Sequence, residues 1–332
     1  MKNEIIQQAL YAKIAELLQT ARQTILRAVN HAMVYTYYEI GRMIVENEQE
    51  GKARAAYGRQ VLKELSEKLT ENFGRGFSVD NLQNMRQCYL TYSIYETDSR
   101  KFILSWSHYL KLMRIENPEE RSFYELESAA NNWSLKELQR QFDAALYERL
   151  ALSRDKAGIR QLAEKGQIIE RPTDMLKDPY ILDFLDLPEQ HRYSENELEQ
   201  ALIDKLEHFL LELGKGFTFV GRQVRFTFNE RHYKVDLVFF NRLLRCFVVI
   251  DLKIGELTHQ DLGQIQMYVH YYDRFVRLPD ENKTVGIVLC KDKNDTMVEI
   301  TLPEDNDSIF ASRYLTVLPD KQLLIELLNQ EV

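Results

Sequence analysis

Hydrophobic residues in the first half of the chain recur every three or four positions, the spacing that places side chains on one face of a helix. The first such set comprises Ile5, Leu10, Ile14, Leu17, Leu18, Ile25 and Val29. A second set runs from Val61 to Leu69, and Ser78 stands where a third helix would be capped. Ser134 and Glu137 have capping-box spacing before another helix. We therefore predict that residues 1–165 form an all-α domain whose apolar stripes are buried.

Prolines interrupt this pattern between Gly166 and Tyr193. Pro172, Pro179 and Pro188 are incompatible with one long helix, because proline has no amide hydrogen and clashes with the preceding turn. The apolar residues between them indicate a short packed segment rather than an open tether. We predict that residues 166–193 link two domains.

Residues 194–332 alternate between helical and strand-like patterns. Ser194 and Glu197 form another capping-box pattern and open a helix that we predict to end at Gly214. Strand-like runs follow at 217–228, 232–240 and 243–253, joined by links short enough for hairpin turns. Further predicted elements are a helix from Thr258, a strand at 284–290 and a terminal helix at 321–329. The order is αβββαβ, and we predict an α+β protein.

Length and composition agree with a globular protein of about two domains. The chain has 332 residues, of which 45% are hydrophobic and 28% charged. No apolar run approaches the ~20 residues that cross a bilayer, and the charged start MKNEIIQQAL is unlike a signal peptide. We therefore expect a cytoplasmic protein without a membrane partner. The three scattered cysteines lack the spacing of a zinc site or a disulfide framework.

The net charge of -8 is unfavourable for binding a polyanion, but two segments are locally basic. Residues 52–90 contain seven Lys or Arg and four Asp or Glu, and residues 214–260 contain eight and four. A basic surface of this kind is sufficient for nucleic-acid contact. Ordinary fluctuation with solvated charges explains the same counts equally well.

Three charged residues lie within or directly after apolar stretches of the second and third predicted strands. Asp236 lies in the second predicted strand, and the third, Cys246 to Ile250, ends in Asp251-Leu-Lys253. Side chains two apart share a face, about 6–7 Å apart along the strand. If the two strands form a hairpin, both aspartates converge. Such a group is costly on an apolar sheet unless a partner neutralises it, and Mg²⁺ is a suitable partner. A strand-end salt bridge at the surface is the alternative.

Such a metal site would support phosphodiester hydrolysis. The ion would lower the pKa of a bound water, and Lys253 would orient or deprotonate that water or stabilise the developing charge. On the following helix, Gln264 and Tyr268 are four apart and share a face. The glutamine could hydrogen-bond a water or phosphate, and the tyrosine could stack on a base or contact the backbone. The polar flank of an amphipathic helix is the alternative interpretation.

The order Asp236, Asp251-Leu-Lys253, Gln264-Ile-Gln-Met-Tyr268 resembles the PD-(D/E)xK nuclease superfamily. The stretches VDLVFF, GQIQMY, LSWSHY and NWS resemble its bacterial YhcG-like branch over nearly the whole chain. The resemblance implies a restriction-endonuclease-like core at residues 194–332. No proline precedes Asp236, although one is common in the superfamily, and Asp251 stands where glutamate is frequent.

By this resemblance, Asp236 and Asp251 would be metal ligands, the backbone carbonyl of Leu252 would complete the shell and Lys253 would be the catalytic lysine. Gln264 and Tyr268 match a QxxxY element of several nuclease branches. An acidic residue on the first helix of the core often completes the site, and we select Glu199 over Glu195.

The resemblance further implies a DNA endonuclease that requires Mg²⁺, with Mn²⁺ as a second candidate ion. One site per chain suggests a homodimer for cleavage of both strands. Defence, repair and restriction suit this chemistry equally, and RNA remains open as a substrate. A catalytically silent protein for DNA binding or assembly that keeps the nuclease fold is the alternative.

The N-terminal domain would serve DNA contact or dimerisation, either as a helix-turn-helix-like reader or as a bundle that only dimerises. The predicted contacts to nucleic-acid phosphates are Arg59, Lys63, Arg75 and Arg86 in this domain and Arg222 and Lys234 in the second.

Overall fold

The structure is a computed structural model that describes residues 2–50, 55–93, 102–154, 156–187, 193–228 and 230–331. It divides into two compact units, Met1–Gln139 and Arg140–Val332. The division precedes the predicted linker at 166–193, and the predicted functional domains stay a prediction. None of the helices in the described chain is both long enough and apolar enough to cross a membrane.

The first unit is helical, as predicted. Its helices are α1 (Lys2–Glu50), α2 (Ala55–Phe73), α3 (Val79–Tyr92), α4 (Trp106–Leu112), α5 (Pro118–Ala130) and the start of α6 (Leu135–Asp143). The Ser78 hydroxyl caps α3 by accepting the Asn81 amide at 3.2 Å. Helices α1 and α3 approach closely at Gly41, where a Cβ atom would lie 2.0 Å from the Met85 carbonyl oxygen. Only glycine permits this contact between the two helices.

The first half of α1 differs from the prediction. Its apolar stripe lies on a helix, but the described side chains of that stripe are exposed, including Leu17 at 69% and Ile25 at 63%. The buried hydrophobic side chains described on α1 all lie further along the helix, at Val34, Ile44 and Val45. The predicted burial of the stripe was therefore wrong within the single chain, because nothing in the described residues covers this face.

The second unit is built around one mixed sheet. Its strands are β1 (Tyr180–Ile181), β2 (Phe217–Phe228), β3 (Arg231–Asn241), β4 (Cys246–Glu256), β5 (Val285–Asp292) and β6 (Ile309–Leu315). Their order among the described residues is β1-β6-β5-β4-β3-β2. Strands β2, β3 and β4 pair antiparallel, and β4, β5, β6 and β1 pair parallel. The predicted α+β class and the hairpin of the second and third strands are confirmed.

The remaining helices are α7 (Leu146–Leu152), α8 (Lys156–Lys165), α9 (Glu195–Asp204), α10 (Leu206–Leu213), α11 (His259–Phe275), α12 (Asp295–Thr301) and α13 (Lys321–Glu331), with short 3-10 helices at Pro172–Met175 and Asp183–Leu185. The helix predicted from Ser194 to Gly214 is interrupted at Lys205. The helix predicted from Ser134 ends at Asp143, because Ala145 has a left-handed backbone with φ of 50°. Strand β6 and helix α12 were not predicted.

The two faces of the sheet carry different helices. Helices α9 and α10 pack on one face, where Leu198 and Phe209 join Ile250 in a single core cluster. Helix α11 packs on the other face through Leu262 and Ile265. Gly286 permits a close approach of α11, since a Cβ atom there would lie 2.8 Å from Ile265 and from Val269. The residues of α9 and α11 that precede the packed stretches therefore lie beside the end of β4.

A buried ion pair joins α7 to α10. Arg149 Nη1 lies 2.5 Å from Glu212 Oε1, and the side chains are 0% and 2% exposed. The same carboxylate oxygen accepts the Ile181 amide at 2.9 Å, and Lys177 donates to the Glu212 carbonyl oxygen. Burial alone would raise the pKa of Glu212, but Arg149 and Lys177 hold that pKa below its ordinary value. The predicted linker therefore contributes to the core of the second unit.

Candidate active site

Strands β3 and β4 separate at two aspartates. Their pairing ends with Leu237 opposite Ile250, so the next opposed residues in the same register are Asp236 and Asp251. Instead of pairing there, Asp236 accepts the Leu252 amide on Oδ2 at 2.9 Å. We call this opening, formed by Asp236, Asp251 and Leu252, the fork. The sequence thus places both acids of the predicted site at one point of the sheet.

The buried acid of the fork is paired with a lysine. Asp251 is 1% exposed, and Lys253 Nζ lies 2.8 Å from its Oδ2. Apart from this ion pair, Oδ2 accepts no hydrogen bond from the described residues. Burial and the neighbouring Asp236 raise the pKa of Asp251 to about 7. Burial also raises the pKa of Asp236, which the Leu252 amide partly offsets.

Lys253 is surrounded by carboxylates. Besides Asp251, its ammonium lies 3.8 Å from Asp261 Oδ1 and 4.0 Å from Glu195 Oε2. Burial opposes the charged form, but Asp251, Glu195 and Asp261 together outweigh burial and keep the pKa of Lys253 above its ordinary value. The ammonium therefore stays charged at neutral pH, and its position is set by residues of β4, α9 and α11.

The two acidic residues considered on α9 lie at different places. Glu199 is buried and accepts a short hydrogen bond from Gln223 Nε2, which also donates to Asp236 Oδ1 at 3.3 Å. Glu195 instead faces Lys253. Burial raises the pKa of Glu199, and the Gln223 amide lowers it in part. Glu199 therefore reaches Asp236 through Gln223, a residue that our sequence analysis missed.

Gln264 and Tyr268 contact each other on α11. Gln264 Nε2 donates to the Tyr268 hydroxyl at 2.5 Å. Tyr268 is 2% exposed and packs edge-to-face on Phe226, with ring centroids 5.7 Å apart. Burial raises the pKa of Tyr268, with smaller effects from both aspartates of the fork. The predicted base stacking by Tyr268 was wrong, because a buried ring offers no face to a base.

The predicted basic contacts are spread over both units. Arg222 and Lys234 are exposed on β2 and β3, and Arg222 Nη1 donates to Gln200 Oε1 at 2.7 Å. In the first unit, Lys63 and Arg75 are exposed and Arg86 is half-buried. The side chain of Arg59 lies outside the described residues.

The side chains of the fork suit a hard divalent cation. The described residues contain no group of three or more His, Cys, Asp or Glu side chains arranged to hold a metal. Asp236 and Asp251 provide two carboxylates, and Glu199 accepts the Gln223 amide beside them. Two carboxylates completed by waters and a substrate phosphate are a set that Mg²⁺ accepts. The buried Asp251 Oδ2 atom, whose partner is the Lys253 ammonium and which accepts no hydrogen bond from another described residue, fits the same interpretation.

Two regions of the chain match known protein families. Residues 173–329 match the YhcG PDDEXK nuclease domain, and residues 13–149 match the DUF1016 N-terminal domain. The second unit thus has the restriction-endonuclease-like fold of PDDEXK nucleases.

A close relative is the candidate nuclease YhcG of Escherichia coli (strain K12). It is 39% identical over 349 residues, which cover 96% of this chain and 92% of that protein. The chain therefore belongs to the YhcG family of PDDEXK nucleases.

Two solved structures resemble part of the chain. They are a repair endonuclease from Pyrococcus abyssi and an EndoMS–dsDNA2 complex, each with 15% identity and a TM-score of 0.26. They cover 38% and 40% of this chain, and this chain spans about half of each, 49% and 50%. A TM-score this low supports no inference from these proteins to the activity of this chain.

Proposed function

We propose that this chain hydrolyses phosphodiester bonds of DNA at the fork with a divalent metal ion, Mg²⁺ or Mn²⁺. The observation that carries the proposal is the convergence of Asp236, Asp251 and Lys253 where β3 and β4 separate. Burying two carboxylates beside one ammonium is unfavourable for stability, and a bound cation offsets that cost. A purely structural strand end has no need of such an arrangement.

Each residue of the fork then has a role. Asp236 and Asp251 hold the ion, and the family resemblance adds the Leu252 carbonyl and Glu199 as further candidates. When bound, the ion supplies an acidified water and stabilises charge on the phosphoryl oxygens. Lys253 orients that water or stabilises the developing charge, and Glu195 and Asp261 fix the lysine ammonium.

The hairpin of β2 and β3 is proposed as the DNA contact of the second unit. Arg225 and Lys234 are exposed and lie directly opposite each other. Neither forms an ion pair within 4.0 Å or a side-chain hydrogen bond among the described residues, and Lys234 acts on Glu199 only at longer range. Like charges in opposed positions destabilise a hairpin, and a phosphate between them would remove the repulsion. Arg222 lies on the same hairpin, and Lys234 is only two residues from Asp236. A phosphate held here would lie next to the fork.

The first unit is proposed to contact DNA or a second copy of the chain. Lys63, Arg75 and Arg86, with Arg59, provide its predicted phosphate contacts. The exposed apolar residues of α1 favour a homodimer, because monomeric proteins rarely expose such a continuous apolar face. Sedimentation velocity tests this: the wild type should sediment as a dimer, and Ile25→Lys should shift it towards the monomer. A monomeric wild type at micromolar concentration would contradict the dimer.

Cleavage of plasmid and branched DNA in Mg²⁺ and Mn²⁺ tests the proposed activity. We compare wild type, Asp236→Ala, Lys253→Ala and the control Lys165→Ala, an exposed lysine at the end of α8. Loss of Lys253 should lower the cleavage rate at least about 100-fold while DNA binding remains. Equal cleavage by all four proteins would place the activity elsewhere. DNA binding without cleavage by any protein would favour the catalytically silent alternative.

A further inference from the structure

Gln223 is the residue that connects the acids of α9 and β3. Its amide nitrogen donates to Glu199 Oε2 and to Asp236 Oδ1. An amide NH₂ group has two hydrogens, so it can serve both carboxylates at once. With the Leu252 amide on Oδ2, both oxygens of Asp236 are then held by donors. The carboxylate of Asp236 is therefore fixed in orientation before any ion binds.

An irregularity in β2 brings this glutamine to the fork. Phe219 pairs with Phe239, but the next pair is Gly221 with Val238, so Val220 is an extra residue in β2. After it, Arg222 pairs with Leu237, and Gln223 stands opposite Asp236 in the same register. Without the extra residue, Arg222 would stand opposite Asp236. An arginine there would neutralise the aspartate permanently and compete with a cation, whereas an amide holds it without removing its charge.

The backbone of Gln223 is strained at this position in β2. Its φ is +48°, in the left-handed region that a glutamine rarely adopts. Such conformations cost free energy and persist where the surrounding structure enforces them, often at functional sites. Glu199 is buried and accepts the Gln223 amide, so the strained residue is anchored from α9.

We propose that Gln223 is a positioning residue that orients Asp236 for the metal ion, and that Glu199 acts through this amide rather than as a direct ligand. The inference rests on the proposed metal site at the fork. Partners that orient a metal ligand typically contribute 10–100-fold to metal affinity. The predicted role of Glu199 as a ligand is thereby replaced by an indirect one.

The test is the dissociation constant of Mn²⁺ for the full chain without DNA, measured by electron paramagnetic resonance. Gln223→Gly removes the side chain and relieves the positive φ, so loss of folding is not expected. We expect it to weaken Mn²⁺ binding by about 10–100-fold. Glu199→Gln keeps an oxygen that can accept the Gln223 amide, so this variant should lose only a few-fold in Mn²⁺ affinity. Gln200→Ala, an exposed glutamine on the same helix, should bind like wild type.

The ranking of the variants by Mn²⁺ affinity decides whether Glu199 is a direct ligand or acts through Gln223. If Glu199 is a direct ligand, Glu199→Gln should lose more affinity than Gln223→Gly, which would overturn the proposal. Combining both substitutions should cost no more than Gln223→Gly alone, and additive losses would also overturn it. Equal binding by Gln223→Gly and wild type would overturn the positioning role alone. A wild type that binds no Mn²⁺ would overturn the metal site itself.

Discussion

At the scale of single residues, Asp251 combines burial, charge and proposed chemistry in one carboxylate. Burial and Asp236 raise its pKa to about 7, well above the ordinary value of an aspartate. Between that ordinary value and pH 7, the folded protein holds a proton that the unfolded chain has released. The free energy of unfolding of the metal-free protein therefore falls as pH rises through this range.

Asp251→Asn removes this titration, so the free energy of unfolding of the variant relative to wild type should rise with pH. We expect the variant to gain on the order of 2 kcal/mol over wild type between pH 5 and pH 8 in the presence of a chelator. Urea denaturation at each pH measures the difference. Adding Mg²⁺ at pH 8 should stabilise wild type and leave the variant unchanged. A difference that is constant with pH would show that Asp251 titrates like an ordinary aspartate.

The same residues show how far the sequence identifies the site. Asp236, Asp251 and Lys253 could be selected because charges in apolar strands are costly and therefore conspicuous. Gln223 could not, because its position depends on the extra residue Val220, which leaves no local signal. Helical spacing could not choose between Glu199 and Glu195 either, since residues four apart lie on the same flank of a helix. Only the structure shows that they contact different partners.

At the scale of elements, the β2–β3 hairpin carries a prediction about nucleic-acid binding. Arg225→Ala and Lys234→Ala should each reduce the slope of log binding constant against log salt by about 0.9 for duplex DNA, because each removes one phosphate contact. Arg242→Ala is the matched control, an exposed arginine beyond the other end of β3. Fluorescence anisotropy at several salt concentrations measures the slopes. Slopes equal to that of wild type would exclude this hairpin as a phosphate contact.

Elements with a regular pattern could be predicted, and those set by tertiary contacts could not. Strands β2 to β5 follow from alternation and from apolar runs. Strand β6 was not predicted because Ser312 and Arg313 interrupt its apolar residues. The break at Lys205 involves neither glycine nor proline. Periodicity in α1 showed that one face is apolar, but it could not show whether this chain or a second copy covers that face.

At the scale of the whole molecule, the buried pair of Arg149 and Glu212 should determine the stability of the second unit. Glu212→Gln leaves the Arg149 charge buried without its counter-charge and should lower the free energy of unfolding by about 3–5 kcal/mol. The double variant Arg149→Met/Glu212→Leu should lose less, because the buried Arg149 charge is removed together with its counter-charge and Lys177 keeps its hydrogen bond to the backbone carbonyl of residue 212. Urea denaturation of the single and double variants measures both values. A double variant less stable than Glu212→Gln would contradict this explanation.

This ion pair also bears on how the chain can be divided. Residues 150–172 separate the two family regions; α7 begins before this gap, yet it belongs to the compact unit that begins at Arg140. Lys321 on α13 also lies 3.2 Å from Glu148 on α7. A gene fragment that begins at residue 173 would leave Glu212 without Arg149 and α13 without its neighbour. Recombination that transfers this nuclease region to another protein must therefore carry α7 with it.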